Sequence, residues 1–266
     1  MRNIKLIIEY DGTNYSGWQI QPYCKTIQGI IQDKLSIITK SPIKLTGSGR
    51  TDSGVHAIGQ TANFKTESRM TSDQFQMALN SLLPNDIVIR HVGEVNENFN
   101  ARYNAKLRTY RYTILNEKTS SAFLRNYTYL FPHDLDINAM NEACKFLIGT
   151  HDFVSFATTG DPVKNTVRIV TRAEVSIPES SGFDGRFTIQ EFWSDRRMIH
   201  FEIQANGFLR CMVRAITGTL VEIGRGKIKP EEMASILLAK DRNAAGPSLP
   251  AKGLCLINVS YKDFVK

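Results

Sequence analysis

The chain has 266 residues, of which 42% are hydrophobic and 22% are charged, and its formal net charge at pH 7 is +7. This composition excludes a disordered chain and is typical of a globular protein. No stretch approaches the roughly 20 apolar residues of a membrane helix, and no secretory signal is evident, so we expect a cytoplasmic protein. The basic excess favours a polyanionic partner such as nucleic acid, although a merely well-solvated basic surface explains it equally well.

The first part of the chain predicts alternating strands and helices. Hydrophobic periodicity predicts strands at residues 3–10, 43–46, 60–66 and 86–95. One helix is expected to begin after Thr26, and a second after Thr71, which stands three residues before Gln74 in the spacing of a capping box. This strand–helix–strand–strand–helix–strand order is that of ferredoxin-like units and of RNA-recognition domains.

From residue 104 the pattern runs again with additions. It predicts strands at 107–115, 166–177, 185–192, 198–204 and 253–261, and helices at 138–148, at 211–224 and after Pro230. We therefore predict a mixed α/β (α+β) fold made of two related βαββαβ halves, residues 1–103 and 104–266, whose antiparallel sheets meet at a central cleft.

Metal chemistry finds little support in the sequence. The four cysteines lie far apart without CxxC spacing, which argues against zinc and favours free buried thiols; they are Cys24, Cys144, Cys211 and Cys255. Asp52 and His56 could share a metal ion, but no third ligand stands near them in the sequence. We expect no metal site.

The stretch "GSGRTDSGVHAIGQ", residues 47–60, gathers four glycines around Arg50, Asp52 and His56. It lacks the third glycine of a dinucleotide fingerprint, and "GRGKI" at 224–228 lacks the hydroxyl residue of a phosphate loop. An arginine nearby would keep Asp52 ionised, as a nucleophile or a stabiliser of a sugar cation requires. "TDSG" is also an ordinary turn sequence, and from the residues alone both interpretations stay open.

The strand sequence "LRTYRY" places Arg108, Tyr110 and Tyr112 on one face. Such a face suits stacking of an unpaired base. Tyrosines in strands also serve as ordinary packing residues, and the residues alone do not separate the two roles.

The glycine-rich stretch closely resembles the central motif of the tRNA pseudouridine synthase A family, G-R-T-D-x-G-V-H-A. The likeness continues in "YDGTNYSGWQIQP", "FNARYNAKLRTYRY", "GTHDFVSF", "NGFLRCMVRAITGTLVEIG" and "GLCLINVSY", in family order. Two stretches depart from the family pattern: "AAGPSLPAKGL" before the last strand, and residues 178–197, which resemble a long polar hairpin.

The resemblance implies a pseudouridine synthase fold and conversion of uridine to pseudouridine at positions 38, 39 and 40 of the tRNA anticodon stem–loop. It implies a homodimer without metal or organic cofactor. Asp52, in the N-terminal half, matches the family's attacking aspartate. Tyr110, in the C-terminal half, matches the tyrosine that stacks on the flipped base and assists proton transfer. Arg50 and Arg214 match basic positions near the aspartate, with Arg214 as its ion-pair partner.

Two other functions compete with this expectation. The first is a non-catalytic RNA-binding module of the same fold, although a pure binder has no need for Arg50, Asp52 and Tyr110 together. The second is a nucleoside or glycoside hydrolase using Asp52, which lacks a second carboxylate close by in the sequence.

Overall fold

The computed structural model describes residues 1–158, 165–178 and 197–262. The chain divides into two compact units: unit 1 comprises Met1–Thr109 and Cys255–Lys266, and unit 2 comprises Tyr110–Leu254. The elements are helices and mostly antiparallel strands, so the predicted mixed α/β class is confirmed. No helix in the described ranges is both long and apolar enough to cross a membrane. The functional halves expected at 1–103 and 104–266, and a cleft between them, stay predictions.

The described residues form the following elements. The strands are β1 (Arg2–Tyr10), β2 (Thr46–Gly47), β3 (His56–Thr66), β4 (Ile87–Val95), β5 (Leu107–Leu115), β6 (Tyr129–Leu130), β7 (Gly149–Asp152), β8 (Val167–Ser176), β9 (Met198–Ala205) and β10 (Leu254–Ser260). The α-helices are α1 (Ile27–Thr39), α2 (Ser72–Leu82), α3 (Ile137–Lys145), α4 (Met212–Gly224) and α5 (Glu232–Ala239). The strand predicted at 185–192, and the hairpin predicted at 178–197 except for its two end residues, lie outside the described residues.

Unit 1 is built around β1, which pairs antiparallel with β3 on one side and with β4 on the other. The predicted alternation of β1 is confirmed, because Ile4, Leu6 and Ile8 are fully buried. Phe75 of α2 meets Phe64 of β3 edge to face, with ring centroids 5.5 Å apart. Each such buried apolar side chain stabilises the fold by about 1.5–3 kcal/mol, so the core of unit 1 gives β3 a firm support.

The other edge of β3 carries two different neighbours. β2 pairs antiparallel near its middle, with Thr46 opposite Asn63, and β10 pairs parallel at its start, with Cys255 opposite His56. The element order from β1 to β4 is the predicted βαββαβ order. The glycine-rich stretch enters β3 at the end that β10 flanks.

The strand predicted at 43–46 is wrong for its first three residues. The N–H of Leu45 donates to Gln32 Oε1 at 3.1 Å, and its carbonyl accepts from Gln28 Nε2 at 2.8 Å. Side chains of α1 thus satisfy backbone groups that a neighbouring strand would otherwise pair. The alternation of Ile43 and Leu45 reflects burial of both side chains and not a strand.

The predicted helix starts in unit 1 meet different outcomes. The capping box is confirmed: Thr71 Oγ1 accepts from the N–H of Gln74, and the Gln74 side chain accepts from the N–H of Thr71. Thr26 occupies the N-cap position of α1 but makes no side-chain capping bond. Only Thr71 therefore contributes the roughly 1 kcal/mol of stability expected of a side-chain cap.

Unit 2 is built on an antiparallel ladder in which β8 pairs with β7 and with β9. In its strand order β5 follows β9. Helix α3 ends at Lys145, earlier than predicted, and β7 was not predicted as a strand. Helix α4 is buried nearly all round, which is typical of a helix inside a core; its two residues that are not buried are Arg214 and Glu222.

Candidate active site

We define the Asp52 loop as residues 48–55, which connect β2 to β3. Its first residue, Ser48, is buried, and its N–H donates to the carbonyl of Thr61 at 2.8 Å. The hydroxyl of Ser48 donates to Gln60 Oε1 at 2.7 Å, and Gln60 Nε2 donates to the carbonyl of Gly49 at 3.2 Å. Gln60 is also buried, so one amide side chain of β3 fixes the entry of the loop.

Residues that follow β1 hold the middle of the Asp52 loop. The N–H of Trp18 donates to the carbonyl of Thr51 at 3.1 Å. On the other side of Asp52, the carbonyl of Tyr15 accepts from the N–H of Gly54 at 3.3 Å and from the Ser53 hydroxyl at 3.1 Å. The chain is therefore held both before and after Asp52.

Two glycines, Gly54 in this loop and Gly17 in the segment that holds it, have a structural reason to be glycine. Gly17 has φ +87°, and a Cβ there would lie 2.6 Å from the carbonyl oxygen of Thr51. Gly54, two residues after Asp52, has φ +77°. Both adopt a left-handed conformation that other residues rarely take, and Gly17 also allows two backbones to approach closely.

Asp52 lies in a turn and is partly exposed. Its carbonyl accepts from the N–H of Val55 at 3.1 Å, so residues 52–55 do form a turn. The residue is also partly exposed, whereas Thr51 and Val55 are buried. Arg50 is exposed, and its Nε donates to Gln19 Oε1 at 3.1 Å. The turn and a chemically available carboxylate are therefore compatible.

His56 links β3 to the end of β1. Its Nδ1 lies 3.0 Å from the N of Gly12 and 3.1 Å from Asp11 Oδ1, and the side chain is buried. Across residues 1–158, 165–178 and 197–262, no three His, Cys, Asp or Glu side chains form a group that could hold a metal ion. His56 thus supports the loop at the point where β3 begins.

Arg108 supports the loop in a way that the sequence did not predict. The pattern of β5 placed Arg108 on a base-stacking face with two tyrosines. In the structure its Nη2 donates to the carbonyl of Ser48 at 2.8 Å and to that of Arg102 at 3.3 Å. Only the fold brings residues so far apart in sequence together, so nothing local in the sequence indicates this contact.

Tyr110 lies on β5 in unit 2, and its side chain is 8% exposed. Its ring meets the ring of Phe208 edge to face, with centroids 5.1 Å apart and an interplanar angle of 85°. Phe208 belongs to the segment between β9 and α4. Asn206 fixes the start of this segment, since its Oδ1 accepts from the N–H of Ile169 at 2.9 Å. The ring of Tyr110 therefore packs against a phenylalanine in a segment that is itself hydrogen-bonded to β8.

Tyr112, two residues further along β5, is fully buried and donates its hydroxyl proton to the carbonyl of Pro250 at 2.7 Å. Burial raises the pKa of its hydroxyl well above the ordinary value. Tyr112 is therefore a packing residue of the core.

Arg214 lies in the first turn of α4 and is tied to the segment before β10. Its Nε donates to the carbonyl of Leu249 at 2.6 Å, and its own carbonyl accepts from the N–H of Leu249 at 3.2 Å. The N–H of Gly246 donates to Thr219 Oγ1 at 2.8 Å. The stretch that departs from the family pattern is therefore the one that holds the Arg214 guanidinium.

The cysteines differ from expectation. Cys144 is buried, and burial raises the pKa of its thiol to about 12. Cys24 is exposed, and Cys211 and Cys255 are partly exposed, so the prediction of four buried thiols is wrong. Cys24 lies in the surface loop between β1 and α1, where no core packs over it.

The predicted site residues fall into both units: Arg50 and Asp52 in unit 1, and Tyr110 and Arg214 in unit 2. The net charge of +7 is typical of a chain with a polyanionic partner such as nucleic acid. The family model described as tRNA pseudouridine synthase matches residues 6–104 and 143–262. The chain belongs to the tRNA pseudouridine synthase family, and it is an isomerase.

Individual relatives agree with this membership. A protein named tRNA pseudouridine synthase A from Caldicellulosiruptor saccharolyticus is 47% identical over 98% of this chain and 100% of its own length. One of the same name from Acetivibrio thermocellus is 45% identical over the same shares. Among solved structures, a chain of a Cbf5–Nop10–Gar1 complex matches 82% of this chain and 54% of its own, at 13% identity and a TM-score of 0.29, which is too low to carry an argument. The resemblance inferred from the motifs is confirmed.

Proposed function

We propose that this enzyme converts uridine to pseudouridine at positions 38, 39 and 40 of the tRNA anticodon stem–loop, with Asp52 as the nucleophile. The observation that carries the proposal is the Asp52 loop. Asp52, the carboxylate residue of this loop, is partly exposed and directly follows the buried Thr51, and hydrogen bonds hold the chain on both sides of it. A nucleophile held in one place avoids the entropic cost of being oriented during the reaction.

In this proposal the Asp52 carboxylate attacks the target nucleoside, at the ring or at the sugar carbon. The bond between the sugar and N1 of uracil breaks, the uracil rotates, and a bond forms between the sugar and C5. C5 then loses its proton and N1, freed from the sugar, takes one up, so atoms and charge balance and the reaction is an isomerisation that needs no oxidant or reductant. Release of Asp52 at the end regenerates the enzyme.

The other site residues serve the extruded base and the charges around it. Tyr110 stacks on the base and assists proton transfer, and its contact with Phe208 fixes the ring for this task. Arg50 and Arg214 supply positive charge near the carboxylate, with Arg214 as its ion-pair partner. An adjacent cation favours the ionised form that a nucleophile requires.

The partners belong to the same proposal. The substrate is tRNA, whose phosphates complement the net charge of +7. We also propose a homodimer that acts in the cytoplasm, as the family resemblance implies.

The test is release of tritium from unmodified tRNA that carries uridine labelled at C5. We expect Asp52→Asn to lower turnover by at least about a thousandfold, because the nucleophile is lost, while tRNA binding stays within about threefold. Asp73→Asn, which neutralises an exposed carboxylate of α2 in the same unit, is the matched control and should keep full activity. Normal turnover by Asp52→Asn would contradict the proposal.

The positions are tested separately with three stem–loops that each carry one uridine, at 38, 39 or 40. Product from all three agrees with the proposal, and product from fewer would narrow it. Wild-type protein that binds tRNA without turnover would favour a non-catalytic RNA-binding module.

A further inference from the structure

A pair of buried hydroxyl groups lies directly beside the Asp52 loop. The Oη of Tyr10, at the end of β1, is 2.8 Å from the Oγ1 of Thr51, the residue before Asp52. Tyr10 is 3% exposed and Thr51 is 6% exposed. Because water hardly reaches either group, a lost partner is not replaced by a solvent molecule.

The Tyr10 side chain is a rigid reference point. Its backbone pairs with Ala57 of β3 on one side and with Ile87 of β4 on the other. Its ring packs beside that of Trp18, with centroids 6.1 Å apart. The hydroxyl of Tyr10 therefore has a fixed position relative to β3 and β4.

Thr51 receives two restraints at once. Tyr10 fixes its side chain, and the N–H of Trp18 fixes its carbonyl. Together they define the orientation of the peptide that leads into Asp52. After Asp52 the restraints are accepted by the main-chain carbonyl of Tyr15 and need no particular side chain at that position. Of the two restraints before Asp52, the one on the Thr51 carbonyl is also a main-chain bond, but the one on the Thr51 side chain depends on a tyrosine hydroxyl.

We infer that Tyr10 is a positioning residue for Asp52 and acts through the hydroxyl of Thr51. This inference rests on the proposed function of Asp52 as the nucleophile. Without the hydroxyl bond, the peptide between Thr51 and Asp52 has more freedom, and the carboxylate spends less time aligned with the nucleoside. Substrate binding does not depend on that alignment, so the effect falls on kcat and not on KM.

The experiment measures steady-state kinetics and melting temperature for Tyr10→Phe and Thr51→Val, which remove one hydroxyl each and nearly keep the shape. We expect kcat to fall about tenfold in each variant, since small displacements of a reacting group cost up to about a hundredfold. KM for tRNA should stay within about twofold. Thr51→Ser keeps the hydroxyl and should return kcat to within about twofold of wild type.

The double variant Tyr10→Phe with Thr51→Val tests whether the two groups act as one unit. We expect it to lose no more kcat than either single variant. Thr128→Val is the control, because Thr128 is also buried and its hydroxyl bonds the carbonyl of Leu124 at 3.0 Å in unit 2. It should change stability and leave kcat unaltered.

Two results would overturn the inference: a kcat within twofold of wild type for Tyr10→Phe, or losses that multiply in the double variant. Asp52→Asn, measured in parallel, separates this failure from failure of the proposed function. If Asp52→Asn is inactive and Tyr10→Phe is normal, Asp52 remains the nucleophile and Tyr10 does not position it. If Asp52→Asn is active, the proposed function itself fails.

Discussion

The Asp52 loop and the Tyr110 segment hold their key residues by different physical means. Hydrogen bonds with Gln60, Tyr10 and Arg108 fix the loop, and Phe208 packs edge to face against the ring of Tyr110. Hydrogen bonds are directional and specify an orientation. Apolar burial is largely non-directional, although an edge-to-face pair of rings also prefers a defined angle between them. In the proposed function, a carboxylate that attacks one atom relies on the first kind of support, and a ring that stacks on a base relies on the second.

Among variants of the residues that support the two regions, the largest effect should come from Gln60→Ala, which removes the amide that joins Ser48 to Gly49. Loss of a buried hydrogen-bonded side chain should lower the free energy of unfolding by about 2–3 kcal/mol. Because the loop entry loosens, we expect kcat to fall by about a hundredfold. Urea unfolding and steady-state turnover measure the two effects.

The matched control for this prediction is Gln76→Ala. Gln76 also donates to backbone carbonyls of unit 1, those of Ile89 and Arg90, but it lies on α2 away from the loop. It should lose stability with little change in kcat. Equal losses of kcat in both variants would mean that general destabilisation, and not the loop, governs turnover.

A smaller effect is expected from Phe208→Ala, which removes the ring beside Tyr110. Phe208 is only partly buried, so we expect the free energy of unfolding to fall by about 2 kcal/mol, below the range for a fully buried phenylalanine. KM for tRNA should rise by about tenfold because the stacking ring is less well placed, and kcat should change less. Phe208→Leu, which keeps apolar volume, should have a KM between those of the wild type and Phe208→Ala. A loss confined to kcat would mean that Phe208 does not act by placing the stacking ring.

The smallest effect on the Asp52 loop is expected from a change of pH that acts on unit 2. Burial first, and then the nearby charge of Arg111, lowers the pKa of His200 on β9 from 6.5 to about 4, although Glu202 opposes the shift. The unfolded chain therefore takes up a proton at a higher pH than the folded one. The stability gained from the neutral imidazole is complete above pH 6.5 and is lost as the pH falls towards 4.

Thermal unfolding between pH 7 and pH 4 measures this loss, which should be absent in His200→Gln. A fluorescent probe on the Asp52 loop should show no matching local change, because His200 belongs to unit 2. An identical pH slope in wild type and His200→Gln would assign the acid sensitivity to other groups.

Local sequence rules predicted those elements whose causes are local. The capping box at Thr71 and the full extent of β5 could be predicted because the determining residues stand within a few positions of one another. Periodicity wrongly predicted a strand at residues 43–45, because side chains of α1, and not a neighbouring strand, bond the backbone of Leu45. Alternate side chains of an irregular segment can be buried without a strand when a helix packs beside that segment.

The same distinction applies to the site. Asp52 and Tyr110 could be proposed from the sequence because each lies within a short motif. The groups that hold the Asp52 loop did not stand out, because Tyr10 reaches Thr51 across 41 positions and Arg108 reaches Ser48 across 60. Contacts of this range depend on the pairing of strands, and no local pattern in a single sequence specifies them.

The pairing of β10 with β3 has a consequence for synthesis of the chain. The edge of β3 where the Asp52 loop enters gains its parallel neighbour only through Cys255 and Leu256, and translation reaches these residues after all of unit 2. On the ribosome, the nascent unit 1 therefore exposes an unpaired strand edge, a surface on which other chains readily add. The sheet that bears the proposed nucleophile is therefore completed only after all of unit 2 has been synthesised.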